Sequence, residues 1–361
     1  MSVDHLMKRI LRSAGYFSKI YPLILCAALL AFAVRAQVAS FPLPGPKPAD
    51  IPPTWHALLG EYGPEATAVI VLEKSSKLIL REDDGKELSL QANGSPGASF
   101  ISVDSKGGLL PVRFDLDASF RAVSISLGDR TLARRNLGPE EGQVFRIKPS
   151  RPIDDLRREA LAAPPPREDQ KFRAPDLVEL ARLDSDIHLD IRYATENDFL
   201  GTPVYTQARA FLQRPAADAL VRALHRLQPY GYGLLIHDAY RPWYVTKIFW
   251  DVTPPEGKIF VADPAQGSRH NRGCAVDLTL YELKTGKPVE MTGTYDEMSR
   301  RSFPDYPGGT SLQRWHRDLL RWAMESEGFS VYEHEWWHFD FKDWREYPIL
   351  NVPFEKLQFR Q

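Results

Sequence analysis

The sequence predicts an α+β domain over residues 176–361, preceded by a small antiparallel all-β domain over residues 40–148. Three observations predict it. Residues 67–127 break into short apolar runs separated by turn residues, with no helical spacing. Beyond residue 176, similar runs interleave with two amphipathic stretches but form no regular strand–helix–strand repeat, which favours α+β over a doubly wound sheet. Between them, residues 149–175 form a proline-rich connector.

The chain of 361 residues is 43% hydrophobic, ordinary for a globular protein and long enough for two domains. Lys and Arg number 46 against 47 Asp and Glu. No cationic excess is available to pair with phosphates, which argues against a nucleic-acid binder. Two cysteines, Cys26 and Cys274, make no disulfide framework; Cys274 reads as a small buried hydrophobe.

At the N-terminus, Lys8, Arg9, Arg12 and Lys19 precede an apolar run from Ile20 to Val34, broken only by Pro22. That run is shorter than the ~20 residues a spanning helix needs. Small residues follow, and Val34-Arg-Ala36 or Gln37-Val-Ala39 suits cleavage. Residues 1–39 therefore read as a secretory signal peptide, with an uncleaved anchor as the alternative, and the expected location is the periplasm or cell envelope.

Phe41 to Pro48 is a proline-rich spacer. Strands are expected at Thr67–Glu73, Lys77–Arg81, Glu87–Gln91, Leu109–Leu116, Arg121–Leu127 and Gln143–Ile147. Asp83-Asp-Gly85 marks a hairpin between the second and third. Phe120, Val123, Ile125 and Leu127 are expected on one buried face, and the spacing suggests a small antiparallel barrel or sandwich. No ligand cluster or nucleophile–base pair occurs here, so a scaffold or interaction role is expected rather than chemistry. In the connector, Asp154 or Asp155 is expected to cap a short helix ending near Ala162.

In the second domain, Ile187–Tyr193 alternates as a strand does. Arg214–Leu227 carries Ala217, Leu220, Val221, Leu224 and Leu227 at helical spacing. Gly231–Ile236 reads as a buried strand running into His237-Asp-Ala-Tyr-Arg-Pro242, which holds Arg241 where a scaffold can poise a charge over a cleft. Val245–Asp251 and Leu312–Ser326 are expected helices, the latter stopped by Gly328. Cys274–Tyr281, Phe329–Tyr332 and Trp336–Phe341 are expected strands.

The chemistry concentrates in two segments. Ser268-Arg-His-Asn-Arg-Gly-Cys-Ala-Val-Asp277 offers the His270 imidazole and the Asp277 carboxylate; Glu335-Trp-Trp-His338 offers a second of each. Two His and one Asp suit a catalytic Zn²⁺ with its fourth position open to water. Glu335 is then left to act as base on that water. Taken singly, each pair is as readily structural: a loop histidine with a turn aspartate, or two polar residues sharing one face of a helical turn or a bulged strand. His334 is a rival to Glu335, because neighbouring strand residues face opposite sides.

As an ordered set, the motifs resemble a known family. Arg192-Tyr-Ala-Thr195 with Asn197-Asp-Phe199, Asp238-Ala-Tyr-Arg-Pro242, Ser268-x-His270-x-x-Gly273-x-Ala275-x-Asp277 and Glu335-Trp-Trp-His338 are similar to motifs of the D-alanyl-D-alanine dipeptidases. These form the VanX-type branch of the zinc D-Ala-D-Ala peptidases, peptidase family M15, with a hedgehog/DD-peptidase-like fold. The resemblance covers about residues 176 to 355 and leaves out the leader and the β-rich domain. It implies one zinc ion per chain on His270, Asp277 and His338, with Glu335 as the catalytic base and Arg241 stabilising the transition state. Ser268, Tyr193 and Asp296 fall where the family holds the two charged ends of its dipeptide.

The expected substrate is thus D-Ala-D-Ala or a related wall-derived dipeptide, in wall turnover or scavenging, and the β-rich domain would then hold the enzyme to the cell wall or shape access to the cleft. A zinc D,D-carboxypeptidase acting on stem peptides and a non-catalytic wall-binding module are the alternatives.

Overall fold

The computed structural model describes residues 41–93, 99–103, 107–137 and 144–357. The expected leader lies outside the described residues, as does Gln143. Among the described residues no helix is long and apolar enough to cross a membrane.

Eight strands form one antiparallel sheet in sequence order: β1 (Gly60–Tyr62), β2 (Val69–Lys74), β3 (Lys77–Arg81), β4 (Glu87–Ala92), β5 (Ser99–Val103), β6 (Leu109–Leu116), β7 (Ala122–Leu127) and β8 (Arg130–Ala133). A bridge between Tyr62 and Arg134 brings the last strand back to the first, so the sheet is nearly closed. Closure satisfies the backbone groups that edge strands would leave exposed. Its interior holds Val71, Leu80, Val112, Phe114 and Ile125 around Tyr62.

One expected face is corrected. Ile125 and Leu127 are buried, but Val123 and Phe120 are exposed. A register shift between Asp115 and Leu116, opposite the start of β7, buries Ala122 and turns Val123 outward; Phe120 occupies a turn with φ 64°. The expected strand at Gln143–Ile147 is not formed by its described residues; Phe145 and Ile147 pack instead on the second core.

The connector carries helix α1 (Ile153–Ala162). Asp154 and Asp155 lie inside its first turn, and neither caps it, because Pro152 holds the capping position. Leu156 and Ala160 are buried in the second core, so this helix is part of the structure it leads into.

That core surrounds a five-stranded sheet of order β10 (Ile187–Leu189), β12 (Tyr232–Asp238), β13 (Ala275–Glu282), β15 (Glu335–Phe341) and β14 (Phe329–Tyr332). Only β10–β12 is parallel. A short pair, β9 (Leu177–Glu179) with β11 (Phe211–Gln213), lies apart from it. The expected strand at Ile187–Tyr193 ends at Leu189, and Arg192–Ala194 turns into a 3-10 helix that buries Tyr193.

Helices α2 (Arg214–Leu227) and α4 (Ser311–Glu325) pack on each other and on the sheet; α3 (Trp243–Val252) packs against α1. Helix α4 starts with a capping box of Thr310 and Gln313. Along β13, Val276, Leu278 and Leu280 join the core, and alternation sends Asp277 to the opposite face.

The β-rich region is fixed to α4. The Glu73 carboxylate accepts from the Ser311 backbone N–H at 2.6 Å and its hydroxyl at 3.1 Å, and the Glu73 N–H donates to Gly309 at 3.0 Å. The spacer before β1 lies along the same helix: Trp315 Nε1 donates to the Gly45 carbonyl at 2.7 Å, and Arg321 stacks on Phe41.

Candidate active site

Three neighbouring strands present a row of polar groups. Asp238 pairs with Asp277 across β12 and β13, and Asp277 with His338 across β13 and β15. Residues directly opposite on antiparallel strands share a face, so Asp277 and His338 meet by register alone. His270 arrives from the 3-10 turn His270–Arg272, just before β13. Gly273 ends that turn with φ 66°, a conformation few residues other than glycine adopt.

His270 Nε2, His338 Nδ1 and Asp277 Oδ1 form a small triangle. Its sides are 3.0 Å between the nitrogens, 3.0 Å from His338 to Asp277 and 3.3 Å from His270 to Asp277. Tetrahedral zinc with bonds of about 2.0 Å separates its ligands by about 3.3 Å, so the three atoms already sit at ligand spacing.

Outer partners fix which ring nitrogen is free. His270 Nδ1 donates to the Ala239 carbonyl at 2.6 Å, and His338 Nε2 donates to Asp340 Oδ1 at 2.9 Å. Each ring then turns a lone pair toward the triangle, and the carboxylate adds a third. Three converging acceptors require a positive charge between them. The pull on a positive charge shows in His338 itself: burial opposes a proton there, but Asp340 and Asp277 outweigh it and push the imidazole up to about 10, so without a metal ion a proton occupies the lone pair that would face one.

Asp277 Oδ2 faces away from this point. It accepts from the Tyr295 hydroxyl at 3.0 Å and lies 3.6 Å from Arg241 Nη2. Arg241 is buried, held by two nitrogens on Asp238 Oδ2 at 2.8 Å, and lies over the rings of Phe249 and Tyr193. Tyr205 donates to the other Asp238 oxygen at 2.7 Å. Asp238 thus aims the guanidinium, a role that naming the motif alone did not reveal.

Glu335 starts β15, with Oε2 3.8 Å from His338 Nδ1. A bulge lets it share the face of His338. Tyr332 pairs with Glu335 while its neighbour Val331 pairs with Phe339, so β15 inserts extra residues there. Burial, with Asp277 adding to it, pushes Glu335 up to about 8 against the pull of His338. His334 is turned away from the triangle, its ring against Phe303 and Tyr332.

Tyr193, Arg241, Ser268, His270, Asp277, Asp296, Glu335 and His338 all line one cleft, about 730 Å³ with its open mouth. Asp296 takes φ 58°, and its Oδ2 is buried with no hydrogen-bond partner. Burial raises its pKa well above the usual carboxylate range, and Asp277 and Glu335 add to the shift. Such a group is poised for a cation. The Ser268 hydroxyl accepts from the His270 N–H at 3.2 Å, which leaves its own proton for a ligand. Phe260, Val261 and Met298 supply apolar walls.

Sequence reasoning had missed Asp340 and Tyr295. The spacing His338-x-Asp340 on a strand was the available signal for the first, since residues two apart share a face. Tyr295 gave none, because only the fold brings it under Asp277.

Residues 173–356 match the Peptidase_M15 family, described as D-ala-D-ala dipeptidase. The chain belongs to this peptidase family. It is 35% identical over 179 residues to a D-alanyl-D-alanine dipeptidase of Escherichia coli, covering 50% of this chain and 91% of that one. A D-alanyl-D-alanine dipeptidase of Enterococcus faecium is 35% identical over 175 residues, 44% and 87% of the two chains. One of Streptomyces coelicolor is 34% identical over 189 residues, 46% and 92%. The cleft residues lie within the matched segment of this M15 peptidase, and the eight-stranded sheet lies outside it.

Proposed function

We propose that the chain is a zinc dipeptidase that hydrolyses D-alanyl-D-alanine, or a closely related wall-derived dipeptide, in the cell envelope. The observation that carries this is the triangle of three lone pairs at ligand spacing beside a free carboxylate. His270, Asp277 and His338 would hold the ion, and the donor set of two imidazoles and one carboxylate suits zinc. When bound, zinc supplies Lewis acidity at the scissile carbonyl and brings the pKa of water down to about 7.

The chain's own residues do the rest. Glu335 takes the proton of the attacking water and returns it to the leaving amine; a base with a raised pKa suits both transfers. Arg241, fixed by Asp238, donates to the carbonyl oxygen as it gains negative charge, an interaction commonly worth roughly 3 kcal/mol. Asp296 takes the substrate ammonium, with Tyr193 at its other oxygen, and Ser268 donates to the polar end across the cleft.

A buried carboxylate awaiting an ammonium favours a free dipeptide over a longer peptide, whose amide would leave Asp296 without its counter-charge. The mixed sheet with two helices packed on it supports a hedgehog/DD-peptidase-like α+β fold. The basic and then apolar N-terminus supports export, which favours turnover or scavenging of wall fragments over a cytoplasmic role.

The discriminating experiment compares rates on D-Ala-D-Ala and on a stem pentapeptide. The dipeptidase reading predicts that only the dipeptide is turned over at an appreciable rate. Preferential release of the terminal D-Ala from the pentapeptide would replace it with a carboxypeptidase, and wall binding without turnover would make the chain a binding module.

A further inference from the structure

Tyr295 is used by no step above, yet its hydroxyl sits between the two halves of the site. It lies 3.0 Å from Asp277 Oδ2 and 3.0 Å from the Tyr193 hydroxyl. Tyr193 in turn donates to Asp296 Oδ1 at 3.1 Å. Two carboxylates with different tasks are thus joined through two phenols. At one end, Asp277 Oδ1 faces the metal position while Oδ2 faces Tyr295. At the other, Asp296 Oδ1 is held by Tyr193 while the buried Oδ2 is left for a ligand.

The ring of Tyr295 is clamped. It stacks on His237 at 4.6 Å and meets the edge of Trp337 at 5.5 Å, and the side chain is buried. Its hydroxyl therefore cannot follow the substrate; it can only choose between its neighbours. One phenolic proton serves one acceptor at a time. When Tyr295 donates to Asp277, it steadies the oxygen that does not face the metal, and the Tyr193 proton goes to Asp296. When Tyr295 donates to Tyr193, Asp277 Oδ2 loses its neutral donor and keeps only the more distant Arg241, 3.6 Å away.

We propose that Tyr295 is a positioning residue that orients Asp277 for the metal and, through Tyr193, orients Asp296 for the substrate ammonium, so that metal affinity and dipeptide affinity are linked. This rests on the zinc dipeptidase reading. Tyr295 touches neither the metal position nor the substrate. It acts through the carboxylate of Asp277 and the phenol of Tyr193, as outer partners of metal ligands do.

The test uses the full chain, with Tyr295→Phe, Tyr193→Phe, Asp296→Asn and the double variant Tyr295→Phe/Asp296→Asn. Zinc affinity is read by competition with a chromophoric chelator, KM and kcat on D-Ala-D-Ala, and folding by thermal melting. Tyr295→Phe weakens zinc about tenfold, the low end of what loss of an outer partner costs. It also raises KM several-fold with a smaller change in kcat. In the Asp296→Asn background its effect on KM disappears while its effect on zinc persists. Tyr193→Phe, which contacts no metal ligand, removes the acceptor that competes with Asp277 for the Tyr295 proton and so tightens zinc binding, by a smaller factor; this variant carries the test should Tyr295→Phe fail to melt cooperatively.

Zinc affinity within twofold of the parent in both phenylalanine variants, or a KM effect that persists unchanged in the double variant, overturns the linkage. A parent that binds zinc and cleaves D-Ala-D-Ala alongside such variants loses only this inference. A parent that binds no zinc loses the site reading and the inference together.

Discussion

Glu335 and Arg241 line the same cleft in different roles, and their substitution should separate chemistry from metal binding. Glu335→Gln keeps the shape and leaves the ligand triangle intact. The expected outcome is unchanged zinc content by metal analysis, with kcat down by about 10²–10⁴. Near-normal turnover by that variant would remove Glu335 from the mechanism. Arg241→Ala should cost roughly 10²–10³ in kcat/KM. Asp238→Asn should reproduce part of that loss without touching substrate, because Asp238 aims the guanidinium. At this scale the sequence was informative: spacing alone left each pair open, the resemblance of the ordered motifs singled out His270, Asp277, Glu335 and His338, and one cleft gathers them. Asp238, Asp340 and Tyr295 were less legible. Their roles come from strand register and a turn that no local pattern announces.

Strand β13 and the turn before it are the element on which the site depends, and Gly273 is its weakest point. A Cβ there would meet Leu177 Cδ2 at 2.5 Å, in a backbone conformation that side chains disfavour. Gly273→Ala should therefore destabilise the fold by more than ~1 kcal/mol and weaken zinc binding by shifting His270, read by denaturant unfolding and chelator competition. The bulge in β15 is one of the two ways, beside a helical turn, in which the spacing of Glu335 and His338 allowed them to share a face. On a regular strand Glu335 and His338 would face opposite sides, and only the inserted residues bring them together.

Helix α4 supplies a pH prediction far from the metal. His316 is buried, accepting from Tyr232 at Nε2 and donating to the Glu290 carbonyl from Nδ1. Burial pushes its pKa down to about 4. Between about pH 6.5 and 4 the unfolded chain binds a proton that the folded chain refuses, so this residue makes stability fall as pH falls through that window. The loss attributable to it is at most about 3 kcal/mol. His316→Gln should flatten the slope of unfolding free energy against pH over that range. An unchanged slope would show that the imidazole is protonated in the fold.

Among the described residues, polar contacts that include Glu73 join the two hydrophobic cores. Glu73 is buried and caps the first turn of α4 from the other core. Glu73→Ala should destabilise the protein by about 1–3 kcal/mol, seen as a lower melting temperature with little change in KM. The strand-rich character of the first region was plain from its turn residues and short apolar runs. Those runs suggested a small barrel or sandwich, and the choice between the two was hidden, because the Tyr62–Arg134 bridge that nearly closes the sheet depends on cumulative strand twist and coiling. The docking on α4 was equally hidden: Glu73 and Ser311 are far apart in sequence, and each reads locally as an ordinary polar residue.

The central claim is that one metal, gripped by His270, Asp277 and His338, lets this chain split D-alanyl-D-alanine. The most direct measurement is release of D-alanine by the purified full chain as isolated, after exhaustive chelation, and after zinc is restored. Turnover is expected in the first sample, none in the second and recovery in the third, with one zinc per chain. Equal D-alanine release with and without the metal, or none under any condition, would contradict it.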